Sequence, residues 1–206
     1  MQTVQIAIMA KAPIPGLAKT RLIPALGASG AARLQRRLTR MTVACALEAQ
    51  LGAVTVWCAP DGRHRFFRAL KQTSGVNLLV QSGGDPGARM HTAFRLHCVL
   101  GTLIVVGTDC PMLRPGHLRA AAQALIAGDD AVFYLAEGGG YALVGLRAPQ
   151  PALFADRPWT TDRVMRETRA RAHAGGLRVR EFETLSDVDP PAQLERLDAL
   201  LARAAP

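Results

Sequence analysis

Hydrophobic and polar positions along the chain fall into two alternating patterns. Short continuous apolar runs end in turn residues, as buried strands do: VQIAIMA at 4–10, VTVWCAP at 54–60, VNLLVQS at 76–82 and TLIVVGTD at 102–109. Between them, apolar residues recur at three- and four-residue steps. Leu34, Leu38, Met41 and Cys45 predict a helix from about Ala28 to Leu51, and further helices fall at RHRFFRALKQ (63–72), from about Ala88 to Leu100, and at HLRAAAQALIAG (117–128). Strand and helix in regular order predict an α/β fold of three layers, α/β/α, with a mostly parallel central sheet covered on both faces.

AVFYLAE (131–137) and YALVGLR (141–147) read as two strands around EGGG, after which the rhythm changes. PALFAD (151–156) is a short helical turn, TTDRVMRETRARAHAGG (160–176) a helix ending in glycines, LRVREFETL (177–185) a strand and PAQLERLDALLARA (191–204) a terminal helix. No repeat or linker interrupts the 206 residues, a length that suits one well-buried core, so 1–206 is read as a single domain.

Composition narrows the class. About half the chain is apolar (49%), yet no run reaches the roughly 18 residues of a membrane span. The start, MQTVQIAIMAKAP, lacks a secretory pattern, so a cytoplasmic location is expected. Cys45, Cys58, Cys98 and Cys110 form no CxxC pair, which argues against a zinc site or a disulfide framework and for buried, reduced thiols. The net charge of +9 is concentrated in the arginines of RLQRRLTR, GRHRFFR and RETRARAHAGGLRVR. This balance suits anionic partners, although arginine-rich solvated helix faces explain it more simply. Few aromatics accompany these clusters, which argues against a nucleic-acid platform built on base stacking.

Candidate chemistry gathers at strand ends. Asp109, between Gly107 and Pro111, is delivered by an apolar strand to its carboxyl edge, where open α/β sheets bind ligands. A carboxylate there suits Mg²⁺ or Mn²⁺ against phosphate, or merely caps the next turn. Asp189 before Pro190 makes an N-cap, and Asp187 projects to the same side of an extended segment, so the two acidic sites together suit one divalent ion. The loop KAPIPGLAKTRL (11–22) is not a Walker A motif, because Pro13 stands for the first glycine and Ala18 precedes Lys19. Lys19 as a point charge and Arg21 as a bidentate fork still suit phosphate, whereas Lys11 reads as a solvated neighbour. In QSGGDPGARM (81–90), Gly83, Gly84 and Gly87 precede a helix and permit close backbone approach by a ligand. AEGGGYALVGL (136–146) offers Glu137 and three glycines, as an acceptor pocket or a plain hairpin. His91, His97 and His117 form no ligand set, and no Ser/His/Asp order emerges.

KAPIPGLAKTRLIPALG, GGDPGARM, VVGTDCPML, AEGGGYALVGL, WTTDRV and LSDVDPPAQL stand in the order seen in the DUF2064 family, which the chain resembles over nearly its whole length. That family is similar to nucleotide-diphosphosugar transferases of the GT-A type, and its AKTRL and DVD motifs resemble those of phospholactate guanylyltransferases. The resemblance implies a metal-dependent transferase with a nucleotide sugar or NTP as donor, an unidentified small-molecule acceptor and Mg²⁺ or Mn²⁺ as cofactor. It implies catalytic roles for Asp109, Lys19, Arg21 and Glu137, and metal ligation by Asp109 with Asp189 or Asp187. The nucleotide would be lined by Ala10, Pro13, Gly16, Lys19 and Arg21, by Gly83, Gly84, Gly87 and Arg89, and by Thr108. The acceptor would meet Gly139, Gly140, Tyr141, Trp159 and Thr160. Where the family commonly reads AEDGGY, Gly138 replaces the aspartate and leaves Glu137 as the nearest acid. Glycosyl transfer is the leading reading, nucleotidyl transfer with release of pyrophosphate the main alternative, and a non-catalytic nucleotide-binding module a third.

Overall fold

The structure, a computed structural model, describes residues 3–98, 101–137, 139–155, 159 and 163–188. The terminal helix expected at 191–204 therefore lies outside the described residues. Seven strands, β1 (Val4–Lys11), β2 (Val54–Ala59), β3 (Asn77–Val80), β4 (Thr102–Val106), β5 (Ala131–Ala136), β6 (Tyr141–Leu146) and β7 (Val179–Leu185), form one sheet in the order β3-β2-β1-β4-β6-β5-β7. Every neighbouring pair is parallel except β4 with β6 and β5 with β6. Only β6, joined to β5 by a tight hairpin, runs against the rest. The carboxyl ends of β1, β4, β5 and β7 thus share one edge.

The period of two along the central strands sorts side chains to the two faces. Ile6 and Ile8 of β1, with Val56, Ile104 and Val106, pack beneath α1 (Ile23–Glu48), α2 (Arg65–Ser74) and α4 (Pro115–Ile126) through Val43, Phe67, Leu70, Leu118 and Leu125. Ala7, Trp57, Leu103, Val105 and Phe133 pack on the other side against α3 (Pro86–His97) and α5 (Arg163–Ala174) through Phe94, Met165 and Ala172. Strands buried on both faces explain why β1, β2 and β4 read as nearly continuous apolar runs.

The first helix begins earlier than its apolar rhythm predicts. A helical turn from Ile23 precedes Gly27, whose φ of 67° and ψ of 162° break the helix, and the long regular segment runs on from there. Glycine tolerates that left-handed φ without a Cβ penalty. The break leaves Leu26 packed beside Leu22, Leu34, Leu38 and Val188 in a small core under the loop that follows β1. Cys45, Cys58 and Cys110 are buried and Cys98 is half-buried, all as free thiols.

Candidate functional site

Residues 12–22 leave β1 and are pinned at both ends. The Ala12 N–H donates to the Ala59 carbonyl at 2.7 Å, while Ala18 and Leu22 are wholly buried. The turn between them exposes Gly16 and Leu17 and delivers Lys19 in the left-handed region, at φ 48° and ψ 47°. A side chain there costs about 1–2 kcal/mol, so surrounding structure must hold it. Lys19 Nζ lies 2.6 Å from Asp109 Oδ1, its side chain 3% exposed against 46% for the aspartate. The ammonium is enclosed; the carboxylate is half open to the sheet edge.

Asp109 sits just past β4, and the segment after β7 is stitched to it, because the Val188 N–H donates to the Asp109 carbonyl at 2.9 Å. That tie brings Asp187, only 7% exposed, into the same neighbourhood. The electrostatics of Cys110 report the grouping. Burial pushes its thiol pKa well above the ordinary range, the negative fields of Asp187, Asp109 and Glu137 push the same way, and Lys19 opposes them. Glu137, at the end of β5, accepts from the Ser186 hydroxyl at 2.9 Å. Lys19, Asp109, Asp187 and Glu137, dispersed along the sequence, therefore lie close enough to act electrostatically on one buried thiol.

Two further polar groups support this centre. Gln35 of α1, 3% exposed, donates through Nε2 to Thr108 Oγ1 and to Thr39 Oγ1, each at 3.1 Å. The Thr108 hydroxyl in turn points to Asp109 Oδ1 at 3.5 Å. Sequence reasoning named Thr108 and missed Gln35. The signal was present: a glutamine on an apolar helical stripe, four residues from a threonine on the same face.

The remaining predicted residues fall into three groups. Ala10 lends its carbonyl to Gln81 Nε2 at 3.2 Å, and Arg89 is engaged with its own loop, donating to the Gly84 carbonyl at 3.1 Å and to Gln81 Oε1 at 3.3 Å. Asp85 caps α3 by accepting from the Ala88 N–H at 2.8 Å, Gly83 and Gly84 precede it, and Pro13 is buried in the loop that carries Lys19. Gly87 is covered by Trp159, so a Cβ there would meet the indole at 2.1 Å. Gly139 and Gly140 lie in the β5–β6 turn and Tyr141 opens β6, with the Tyr141 hydroxyl bonded to Thr168 and its ring 6.0 Å from Trp159. Arg21 is exposed in the 3-10 turn after Lys19. Asp189, Thr160 and Gly138 lie outside the described residues. His117 is structural: it accepts from the Arg114 N–H at 3.1 Å at the start of α4.

Among the described residues no three His, Cys, Asp or Glu side chains assemble into a metal cage. A half-open carboxylate at Asp109 with Asp187 beside it is nevertheless a hard oxygen donor set. It fits a cation held by one or two carboxylates and completed by substrate phosphate and water, as Mg²⁺ commonly is.

The mostly parallel seven-stranded sheet with flanking helices is a fold shared with solved nucleotide-diphospho-sugar transferases and nucleotide-dependent synthetases. The chain belongs to the DUF2064 family, described as an uncharacterized protein conserved in bacteria, whose profile matches residues 42–161. No curated protein matches the sequence. Among solved structures, a protein of Desulfovibrio desulfuricans G20 assigned as a nucleotide-diphospho-sugar transferase superposes with a TM-score of 0.83 at 23% identity, covering 99% of both chains. CMP:2-keto-3-deoxy-manno-octonic acid synthetase, solved with CTP, gives 0.60 at 16% identity over 98% of this chain and 100% of that one. Rv0371c of Mycobacterium tuberculosis H37Rv, solved with manganese, gives 0.59 at 17% identity over 98% and 99%. At these identities the likeness is one of fold. No helix among the described residues is long and apolar enough to cross a membrane.

Proposed function

We propose that the chain is a transferase that moves a glycosyl group from a nucleotide-diphospho-sugar to a small-molecule acceptor at the carboxyl edge of its sheet. The Lys19–Asp109 contact of 2.6 Å carries the reading. An enclosed ammonium and a half-open carboxylate, on a loop and a strand end that both face the edge, are arranged for phosphate oxygens and their counter-cation. Mg²⁺ or Mn²⁺, held by Asp109 with Asp187 or Asp189, would supply Lewis-acid stabilisation of the diphosphate. The Lys19 ammonium, held against Asp109, would place positive charge beside the departing phosphate. Arg21 adds a second cation from the same turn. Stabilisation of this kind, aimed at charge that develops as the bond breaks, is typically worth about 10²–10³ in rate per donor.

On the nucleotide side the reading uses Ala10, Pro13 and Gly16 with the turn at Gly83, Gly84 and Arg89, and not Gly87, whose face the Trp159 indole covers. On the acceptor side it uses Gly139, Gly140, Tyr141, Trp159 and Thr160, with Glu137 taking the proton of the attacking hydroxyl. The Ser186 hydroxyl, donating to Glu137 at 2.9 Å, orients that carboxylate. Incubation with radiolabelled nucleotide sugars and NTPs, with Mg²⁺ or Mn²⁺, tests the proposal. Sugar transfer or donor hydrolysis that disappears in Asp109→Asn is expected.

The second reading is nucleotidyl transfer from an NTP to a phosphorylated acceptor. The pairing of Lys19 with Arg21 favours it, since two cations on one turn suit a departing pyrophosphate, as does the likeness to a synthetase solved with CTP. Pyrophosphate release with neither sugar transfer nor donor hydrolysis would overturn the first reading in its favour.

A further inference from the structure

The loop that carries Lys19 also walls an open pocket that shares Pro13 with the nucleotide side of the transfer reading but whose charged residues that reading does not use. It has a volume of about 240 Å³ and is bounded by Pro13, Pro15 and Ala32. Its polar lining is Ser29, Arg33, Arg36, His64 and Arg65. Ser29, Arg33 and Arg36 recur at four- and three-residue steps on one face of α1, and His64 with Arg65 opens α2. Two prolines and an alanine make a stiff wall. The Arg36 guanidinium is further steadied over the Phe66 ring, 5.9 Å from its centroid.

The lining is made of donors. No acidic side chain belongs to it, and among the described residues Arg33, Arg36 and Arg65 make no ion pair. His64 Nδ1 accepts the Phe66 N–H at 3.2 Å, which leaves the proton of the neutral ring on Nε2 as a donor. Asp61, the acid whose field reaches His64, accepts from the Arg63 N–H at 2.7 Å and lies outside the lining. A ligand for such a cavity must supply acceptors and negative charge. Its volume, below the roughly 300–1,000 Å³ of sites for drug-sized ligands, calls for a compact one.

We propose that this cavity binds a phosphate or diphosphate group through its own arginines and not through Lys19 or Asp109, neither of which lines it. The group comes either as the free anion or as the phosphate end of a nucleotide, since guanidinium forks recognise both alike. Burial and the fields of Arg65 and Arg36 hold the His64 pKa below its ordinary 6.5, with Asp61 opposing them. A bound phosphate raises it, which makes His64 the reporter.

The test is an NMR titration of the His64 ring resonance, assigned with His64→Gln, against pyrophosphate and against a non-hydrolysable nucleoside triphosphate. The proteins are wild type, Asp109→Asn and the double variant Arg33→Ala/Arg65→Ala, whose far-UV circular dichroism is checked. Saturable shifts in wild type and in Asp109→Asn, with affinity about tenfold weaker in the double variant, are expected for the loss of two solvent-exposed charged donors. Saturation by pyrophosphate alone identifies a free-anion site; a shift only with the triphosphate identifies a nucleotide tail. The proposal is overturned if no shift saturates, if the double variant binds as tightly as wild type, or if Asp109→Asn abolishes the shift by pyrophosphate. A negative transfer assay, by contrast, would sink the glycosyl reading and leave this site standing.

Discussion

Lys19 Nζ meets Asp109 Oδ1 at 2.6 Å across 90 residues of sequence, and the lysine does so from a left-handed backbone. Exposed ion pairs are worth little to stability, about 0–1 kcal/mol. This pair has a half-open aspartate but an enclosed ammonium, whose desolvation offsets what the contact contributes to holding the fold. The strained backbone and the buried ammonium are better explained as positioning for a charge that arrives with substrate.

That view separates stability from activity at one residue. Lys19→Gly and Lys19→Ala remove the same ammonium, yet only glycine adopts φ 48° without cost. Glycine is expected to be the more stable of the two by about 1 kcal/mol, even though it frees the unfolded chain more. Both variants lose about 10²–10³ in turnover. Urea unfolding midpoints beside initial rates check this; equal stabilities would show that Lys19 bears no backbone strain.

Gln35 is expected to act through Thr108. Gln35→Leu keeps the volume but removes the amide that donates at 3.1 Å to both threonine hydroxyls. Unmet buried acceptors cost about 1–3 kcal/mol. Freed from this hold, Thr108 and the adjoining Asp109 shift, and a displacement near 1 Å at a reacting centre lowers kcat on the order of 10²-fold. Steady-state kinetics should therefore show a fall in kcat with KM nearly unchanged. A variant that is destabilised but keeps its kcat would reduce Gln35 to a packing residue.

Much of this was legible in the sequence because it is written locally. Strands buried on both faces appear as apolar runs, and strand ends announce their turns with Gly, Pro and Asp, so β1, β2, β4 and the position of Asp109 were readable. The helical turn before Gly27 was not, since residues 23–26 carry too few apolar steps to show a period. Local pattern did not bring Lys19, Asp109, Asp187 and Glu137 together either: the order of the motifs implied that they share a site, but Cys110 at its centre went unread, since that arrangement depends on β7 pairing with β5 and on the Val188 bond to Asp109. Such long-range pairings leave no mark in a window of neighbouring residues. Gly87 shows the same limit: its motif suggested room for a ligand, whereas its neighbour is the Trp159 indole.

Gly87→Ala puts this last point to a measurement. The added Cβ would stand 2.1 Å from the indole and 2.6 Å from the Phe154 carbonyl, with Phe154 itself stacked on Phe94 at 5.5 Å. Overpacking of this kind costs about 1–3 kcal/mol. The start of α3 and the Trp159 ring must move apart, so both thermal stability and tryptophan fluorescence should change. An unshifted emission with unchanged Tm would mean that Trp159 is free to leave Gly87.

His97 gives the chain a defined acid sensitivity. Its Nδ1 lies 3.0 Å from Gln5 Oε1, its ring meets Trp57 edge-on at 5.9 Å, and burial holds its pKa below the ordinary 6.5. Between the folded and unfolded pKa values the unfolded chain binds more protons, so stability there rises with pH. The contribution of neutral His97 is thus complete above about pH 6.5 and is lost as pH falls from that value toward the folded pKa. Burial likewise lowers the pKa of His64 and His117, so the wild-type slope alone is not diagnostic. The quantity to measure is the difference in urea unfolding free energy between wild type and His97→Gln at pH 7.5 and at pH 5. That difference should shift in favour of the glutamine variant at the lower pH, because only the histidine must take up a proton against its burial. An unchanged difference would mean that His97 titrates in the folded protein as it does in the unfolded chain.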